Sequence, residues 1–106
     1  MALSFRLTYP TAAVLLAVHS GHRYGFDVMD ATGLPDGTVY PILRRLEDHG
    51  ALRGRWESEE EAHADRRPPR RYYRLTESGI EAVGLALERF PVLARAFTTK
   101  PEALEG

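Results

Sequence analysis

Apolar side chains recur along this chain with a helical period as far as Gly50 and with a period of two just after it. The first run, Thr11 to His19, sets Val14, Leu15 and Val18 among alanines, the pattern of a helix buried on most sides. Thr8 or Tyr9 is placed to cap it. Pro10 suits the first helical position, where its missing N–H costs nothing, and Ser20-Gly21 stops the helix. A short second helix, from His22 or Arg23 to Thr32, is expected to turn Phe26, Val28 and Met29 inward. Gly33 is its C-terminal cap, and Leu34-Pro35 breaks the chain again. The third segment, Asp36 to His49, is the clearest: Val39, Ile42, Leu43 and Leu46 form an i, i+3, i+4, i+7 stripe, and Gly50 ends it. Its opposite face carries Gly37, Pro41, Arg44 and Asp48, flanked by Tyr40 and Arg45. Pro41 lies about five residues in, where it deletes one backbone bond and demands a tight or irregular first turn.

Beyond Gly50, Leu52, Gly54 and Trp56 fall on one side of a strand and Arg53, Arg55 and Glu57 on the other. A second strand, Arg70 to Leu75, places Tyr73 and Leu75 on one face and Tyr72 and Arg74 on the other. Between them Glu57 to Pro69 has no apolar periodicity and reads as a long charged loop, the extended tip of a hairpin. Thr76 caps a last helix from Glu77 towards Phe90, with Glu77 favourable at its positive end and Gly79 excluding a capping box. Pro91 kinks or breaks it. Ile80, Val83 and Leu87 make one stripe, while Leu85, Phe90, Leu93 and Phe97 point elsewhere. That is more apolar surface than one domain covers, and it calls for a partner. Residues 100–106 show no pattern and are expected to fray.

Three short helices, a two-stranded β-hairpin and a terminal helix describe a mainly α winged helix-turn-helix. The second helix of such a motif enters the DNA major groove, which here is Asp36 to His49. Its candidate DNA-facing residues are Thr38, Tyr40, Pro41, Arg44 and Arg45. Thr38 and Tyr40 suit phosphates, and Arg44 or Arg45 can grip a guanine edge with two bonds. A second signal lies in RRPPRRYYR, residues 66–74, which holds no acid. Arg66, Arg67, Arg70 and Arg71 are read as phosphate contacts, against the alternative that they pair with the acids upstream.

With 106 residues the chain forms one domain, and its formal net charge of −1 argues against nucleic acid until the arginines are located. All basic residues but Lys100 are arginine, whose planar fork matches phosphate and guanine. No cysteine is present, which excludes disulfides and thiolate metal sites. No run is long enough to span a bilayer, and the N-terminus lacks the pattern of a secretory signal, so a cytoplasmic location is expected. His19 and His22 stand three apart with no third ligand near. No catalytic arrangement, phosphate loop or cofactor motif is found, so neither an enzyme nor a cofactor is expected. Trp56 reads first as core beneath the hairpin. Its other reading is a stacking surface for a small flat aromatic effector at a dimer interface.

The strings YGFDVM (24–29), GTVYPILRRLEDHGAL (37–52) and RRYYRLTESG (70–79) resemble the PadR-like family of transcriptional regulators over about residues 10 to 90. The resemblance implies a homodimeric repressor on a pseudo-palindromic operator, with recognition through Thr38, Tyr40 and Arg44 and the wing on phosphates. It also implies dimerisation through the C-terminal helix, assigning contacts to Ile80, Val83, Leu87, Phe90, Leu93 and Phe97. Residues 1–75 are then the DNA-binding domain and 76–99 the dimerisation helix. The acidic wing tip, with Glu57, Glu59, Glu60, Glu61 and Asp65, departs from the family's usual small and basic residues. That departure keeps a second reading open, in which the winged helix contacts a protein through its acidic tip and apolar C-terminal helix.

Overall fold

Helix α1 (Tyr9–His19) has no exposed face through its middle, every residue from Thr11 to Val18 being buried. The computed structural model describes residues 3–98, and α1 is their centre: α2, α3, α5, α6 and the second strand all pack on it. Thr8 caps α1, accepting from the Thr11 N–H at 3.3 Å, and its hydroxyl donates to the buried Thr11 Oγ1 at 3.0 Å. Tyr9 is already helical, so Pro10 occupies the second position rather than the first.

Helix α2 (Gly25–Thr32) begins later than expected because Tyr24 is extended and bridges to Tyr72, while the Arg23 carbonyl accepts from the Tyr73 N–H at 2.7 Å. Gly25 and Val28, one turn apart, face inward. That turns Phe26 outward, 66% exposed, against the inward packing its hydrophobicity suggested. Gly33, at φ +75°, caps α2 and returns the chain into α3 (Asp36–Asp48). In α3, Val39, Ile42, Leu43 and Leu46 are buried as the stripe requires. The N–H groups of Thr38 and Val39 share the Pro35 carbonyl, both at 3.0 Å, and the helix runs through Pro41 unbroken.

Strands β1 (Leu52–Trp56) and β2 (Arg71–Leu75) pair antiparallel, with Leu52 opposite Leu75 and Trp56 opposite Arg71. The apolar core reaches Leu52 and Tyr73 and stops there. Trp56, at the far end of β1, is therefore 64% exposed and is not the core residue its size suggested. The segment expected to be a loop contains helix α4 (Glu59–Ala64), started by a reciprocal capping box between Ser58 and Glu61 and anchored by buried Ala62.

Helix α5 (Glu77–Arg89) is capped by Thr76, and α6 (Pro91–Thr98) follows where Pro91 breaks the chain. α6 folds back on α1: Leu93 is buried, and the Ser20 hydroxyl donates to the Phe97 carbonyl at 3.0 Å. The terminal segment is thus two helices, and residues 100–106 lie outside the described residues. Among the described residues no helix is long and apolar enough to cross a membrane.

The start of α5 sits hard against the turn after α3. Thr76 and Ser78 both donate to the Gly50 carbonyl, and a Cβ on Gly79 would lie 2.1 Å from the Ala51 carbonyl oxygen. Backbone cannot yield as a side chain does, so Gly79→Ala is expected to lower stability by about 1–3 kcal/mol. Gly84→Ala, on the open side of the same helix, should raise it by about 0.5–1 kcal/mol. Thermal unfolding of both variants followed by circular dichroism checks the pair. Equal shifts would mean that Gly79 is not pressed against Ala51.

Candidate nucleic-acid interface

The outer face of α3 is set by what the inner face buries. With Val39, Leu43 and Leu46 directed at the core, Tyr40, Pro41, Arg44, Arg45 and Asp48 are exposed and Thr38 is half-buried. Among the described residues neither Arg44 nor Arg45 has a carboxylate partner. Tyr40 is located by an absence: a Cβ on Gly25 would fall 2.2 Å from its ring, so the ring lies directly over the backbone of α2. This packing joins the two helices of the helix-turn-helix at the outer face of α3. Beside it a groove of about 440 Å³ runs between α3 and the wing, lined by Phe26, Tyr40, Arg44, Trp56, Arg70 and Tyr73, among others.

The wing arginines have other duties than the sequence suggested. Arg67 forks Glu57 at 2.6 and 2.9 Å and reaches Asp65 at 3.1 Å. Arg71 forks Glu47 on α3, fastening the wing to that helix, and stands 5.3 Å from the Trp56 ring. Arg70 lies 4.1 Å from the centre of the Tyr24 ring. Of the four, Arg66 is exposed without a carboxylate partner among the described residues, at φ +57° where the tip turns back. Pairing with acids, the alternative reading, therefore describes Arg67 and Arg71.

Glu57, expected among the outward acids of the tip, is 8% exposed and is the wing's internal anchor. Besides Arg67 it accepts from the Arg70 backbone N–H at 3.2 Å and the Tyr72 hydroxyl at 3.4 Å. The Arg67 fork outweighs the cost of burial and holds the Glu57 carboxyl down at about 2, against an ordinary 4.5.

Sequence reasoning passed over Arg23, Arg53, Arg55 and Arg74. They share a depression of about 380 Å³ with Tyr72, on the hairpin face turned away from α3. The strand alternation already put Arg53 and Arg55 outward. The register completes the group by setting Arg53 opposite Arg74.

The C-terminal residues divide. Ile80 is 57% exposed, Val83 and Leu93 are buried within this chain, and Leu87, Phe90 and Phe97 are half-buried against its core. His22 bonds Asp27 at 3.1 Å, His49 meets the Ser4 hydroxyl at 2.8 Å, and among the described residues no cluster of metal-binding side chains occurs.

The model of the transcriptional regulator PadR-like family matches residues 14–84. The fold is similar to that of a PadR family transcription regulator from Clostridium difficile R20291, at 17% identity and a TM-score of 0.67, over 93% of this chain and 100% of that one. It is also similar to a PadR-like transcription factor from Bacteroides fragilis, at 26% identity and 0.63, over 80% and 82%. A third likeness is to Bordetella bronchiseptica BpsR, whose DNA binding is regulated by 6-hydroxynicotinic acid, at 22% identity and 0.65, over 92% and 70%. No curated protein matches the chain.

The depressed Glu57 carboxyl makes the wing acid-sensitive. A carboxylate whose folded value lies below its unfolded one contributes stability above the unfolded value, and that contribution fades as pH falls towards the folded value. The Tm gap between wild type and Glu57→Gln should therefore be widest above pH 4.5 and close as pH approaches 2. A gap independent of pH, measured by thermal unfolding across this range, would remove Glu57 as the anchor.

Proposed function

The chain belongs to the PadR-like family of transcriptional regulators, and from that premise we propose that it is a homodimeric repressor that reads a pseudo-palindromic operator through α3. The observation that carries the reading is the outer face of α3. There Tyr40, Arg44 and Arg45 stand exposed with no carboxylate partner among the described residues, on the second helix of a helix-turn-helix. Phosphate contacts by Thr38 and Tyr40 fix the helix in the groove, and Arg44 or Arg45 reads a guanine edge. Residues 1–75 supply this surface and residues 76–99 the dimer contact. Since Val83 and Leu93 are already buried within one chain, Ile80 leads that contact, joined by the outer parts of Leu87, Phe90 and Phe97.

BpsR answers to a small aromatic acid. In this chain the groove between α3 and the wing, with Trp56 at its rim, is where a flat aromatic anion would compete with DNA. The second reading, a protein partner, is favoured by the exposed acids Glu59, Glu60 and Glu61 at the start of α4.

The test is binding to the duplex upstream of the chain's own gene, against a scrambled duplex, at two salt concentrations. Selective binding that weakens steeply with salt is expected. Arg44→Ala should cost about 1–3 kcal/mol on the specific duplex if Arg44 reads a base, and a similar loss on both duplexes if it holds a phosphate. Unchanged affinity would release Arg44 from the interface, and weak binding of wild type to both duplexes would favour the protein partner.

A further inference from the structure

On the hairpin face turned away from α3, arginine is collected, and the acid that alternates onto that side, Glu57, is engaged by Arg67. Arg53 and Arg55 alternate outward along β1, Arg74 stands on β2, and Arg23 comes from the connection between α1 and α2. Together they surround the depression of about 380 Å³ whose lining includes no carboxylate. Arg53 and Arg74 are directly opposite in the register, a like-charge pairing that weakens a hairpin. Arginine cannot shed its proton to relieve the repulsion. The wing does have acids that engage arginine, but Glu57 holds Arg67 and Glu47 holds Arg71. Among the described residues Arg55 meets the Tyr72 ring, 5.3 Å away, and no carboxylate. A chain of net charge −1 thus keeps an uncompensated cationic hollow on one side of its wing.

The remaining way to offset such a hollow is an external anion, and its layout fits a row of them. Arg53 and Arg55 are two residues apart on a strand, about 7 Å at 3.4 Å per residue. The phosphates of one DNA strand form a regular row of anions, which a row of cations spaced along a β-strand can follow. The face also adjoins the reading surface: Tyr24, bridged to Tyr72, leads from the hollow to the start of α2 and the groove beside Tyr40. We infer that this outer face, through Arg23, Arg53, Arg55 and Arg74, is the wing's phosphate grip on the DNA backbone, while Arg67 and Arg71 hold the wing rigid. The inference rests on the DNA-binding reading above and names the cations that serve it.

Salt dependence reads the grip directly. On duplex DNA, Arg53→Gln and Arg74→Gln should each reduce the slope of log affinity against log salt by about 0.9 for every phosphate left without its cation. The reduction should be equal on upstream and scrambled duplexes, because phosphates carry no sequence. Arg53→Gln should also raise Tm, since it removes the cross-strand repulsion. Arg95→Gln, on α6, should leave the slope as it is. An unchanged slope in the Arg53→Gln/Arg74→Gln double variant, with wild type binding DNA normally, would overturn the grip and leave the DNA reading in place. Failure of wild type to bind either duplex would overturn both. A third arm titrates the protein with inorganic pyrophosphate in the absence of DNA. A rise in Tm that Arg53→Gln abolishes, together with an unaltered salt slope, would give the hollow to a free phosphate-bearing ligand instead.

Discussion

From Thr11 to Val18 the middle of α1 is shut off from water, and the position of every other helix packed on it follows from what it buries there. A helix without an exposed face carries little information about direction in its own sequence. Its neighbours supply it: the α3 stripe covers one flank, Val83 and Ala86 of α5 another, and Leu93 of α6 closes a third. Helix α3 is therefore oriented from within. Tyr40, Arg44 and Arg45 point outward because Val39, Leu43 and Leu46 are committed inward. The outer face of α3 is thus a by-product of where apolar volume has to go.

Charge follows a similar division between inside and outside. The formal balance is close to neutral, yet acids and bases are not mixed evenly. Glu47 and Glu57 are each half-buried or buried beneath a guanidinium, and they bind the hairpin to α3 and its two strands to the tip. Such pairs gain geometric definition from the fork of arginine more than they add net stability. Among the exposed acids, Glu59, Glu60 and Glu61 stand together in the first turn of α4, where the positive end of that helix favours them. Arginines without an acid are left on α3 and on the outer face of the wing.

Much of this is legible from the order of residues. The stripe in α3, the left-handed glycines at 33 and 50, the Thr76 cap and the break at Pro91 are local signals, and local physics decides them. The departures share a different cause. Hydrophobicity places Phe26 and Trp56 inside, but the extent of the core decides burial, and that core stops short of both. Helix α4 is hidden because its apolar anchor is the single small residue Ala62, although Ser58 and Glu61 stand at capping-box spacing. The pairing of Arg67 with Glu57 and of Arg71 with Glu47 spans 10 and 24 residues, beyond what a charge run displays. The outer arginines are visible as alternation, yet only the strand register brings Arg53 against Arg74.

The close packing of Gly25 and Tyr40 has a consequence for how such a chain can change. The Tyr40 ring fills the space that a side chain on α2 would need. The two positions therefore amount to one decision: a methyl group at 25 requires a smaller or displaced group at 40, and a smaller group at 40 leaves a vacancy that a residue at 25 can fill. The outer face of α3 is tied in this way to a position on α2. A chain that reshapes this face would have to move both positions together, or pass through a form whose tyrosine is swung off its seat.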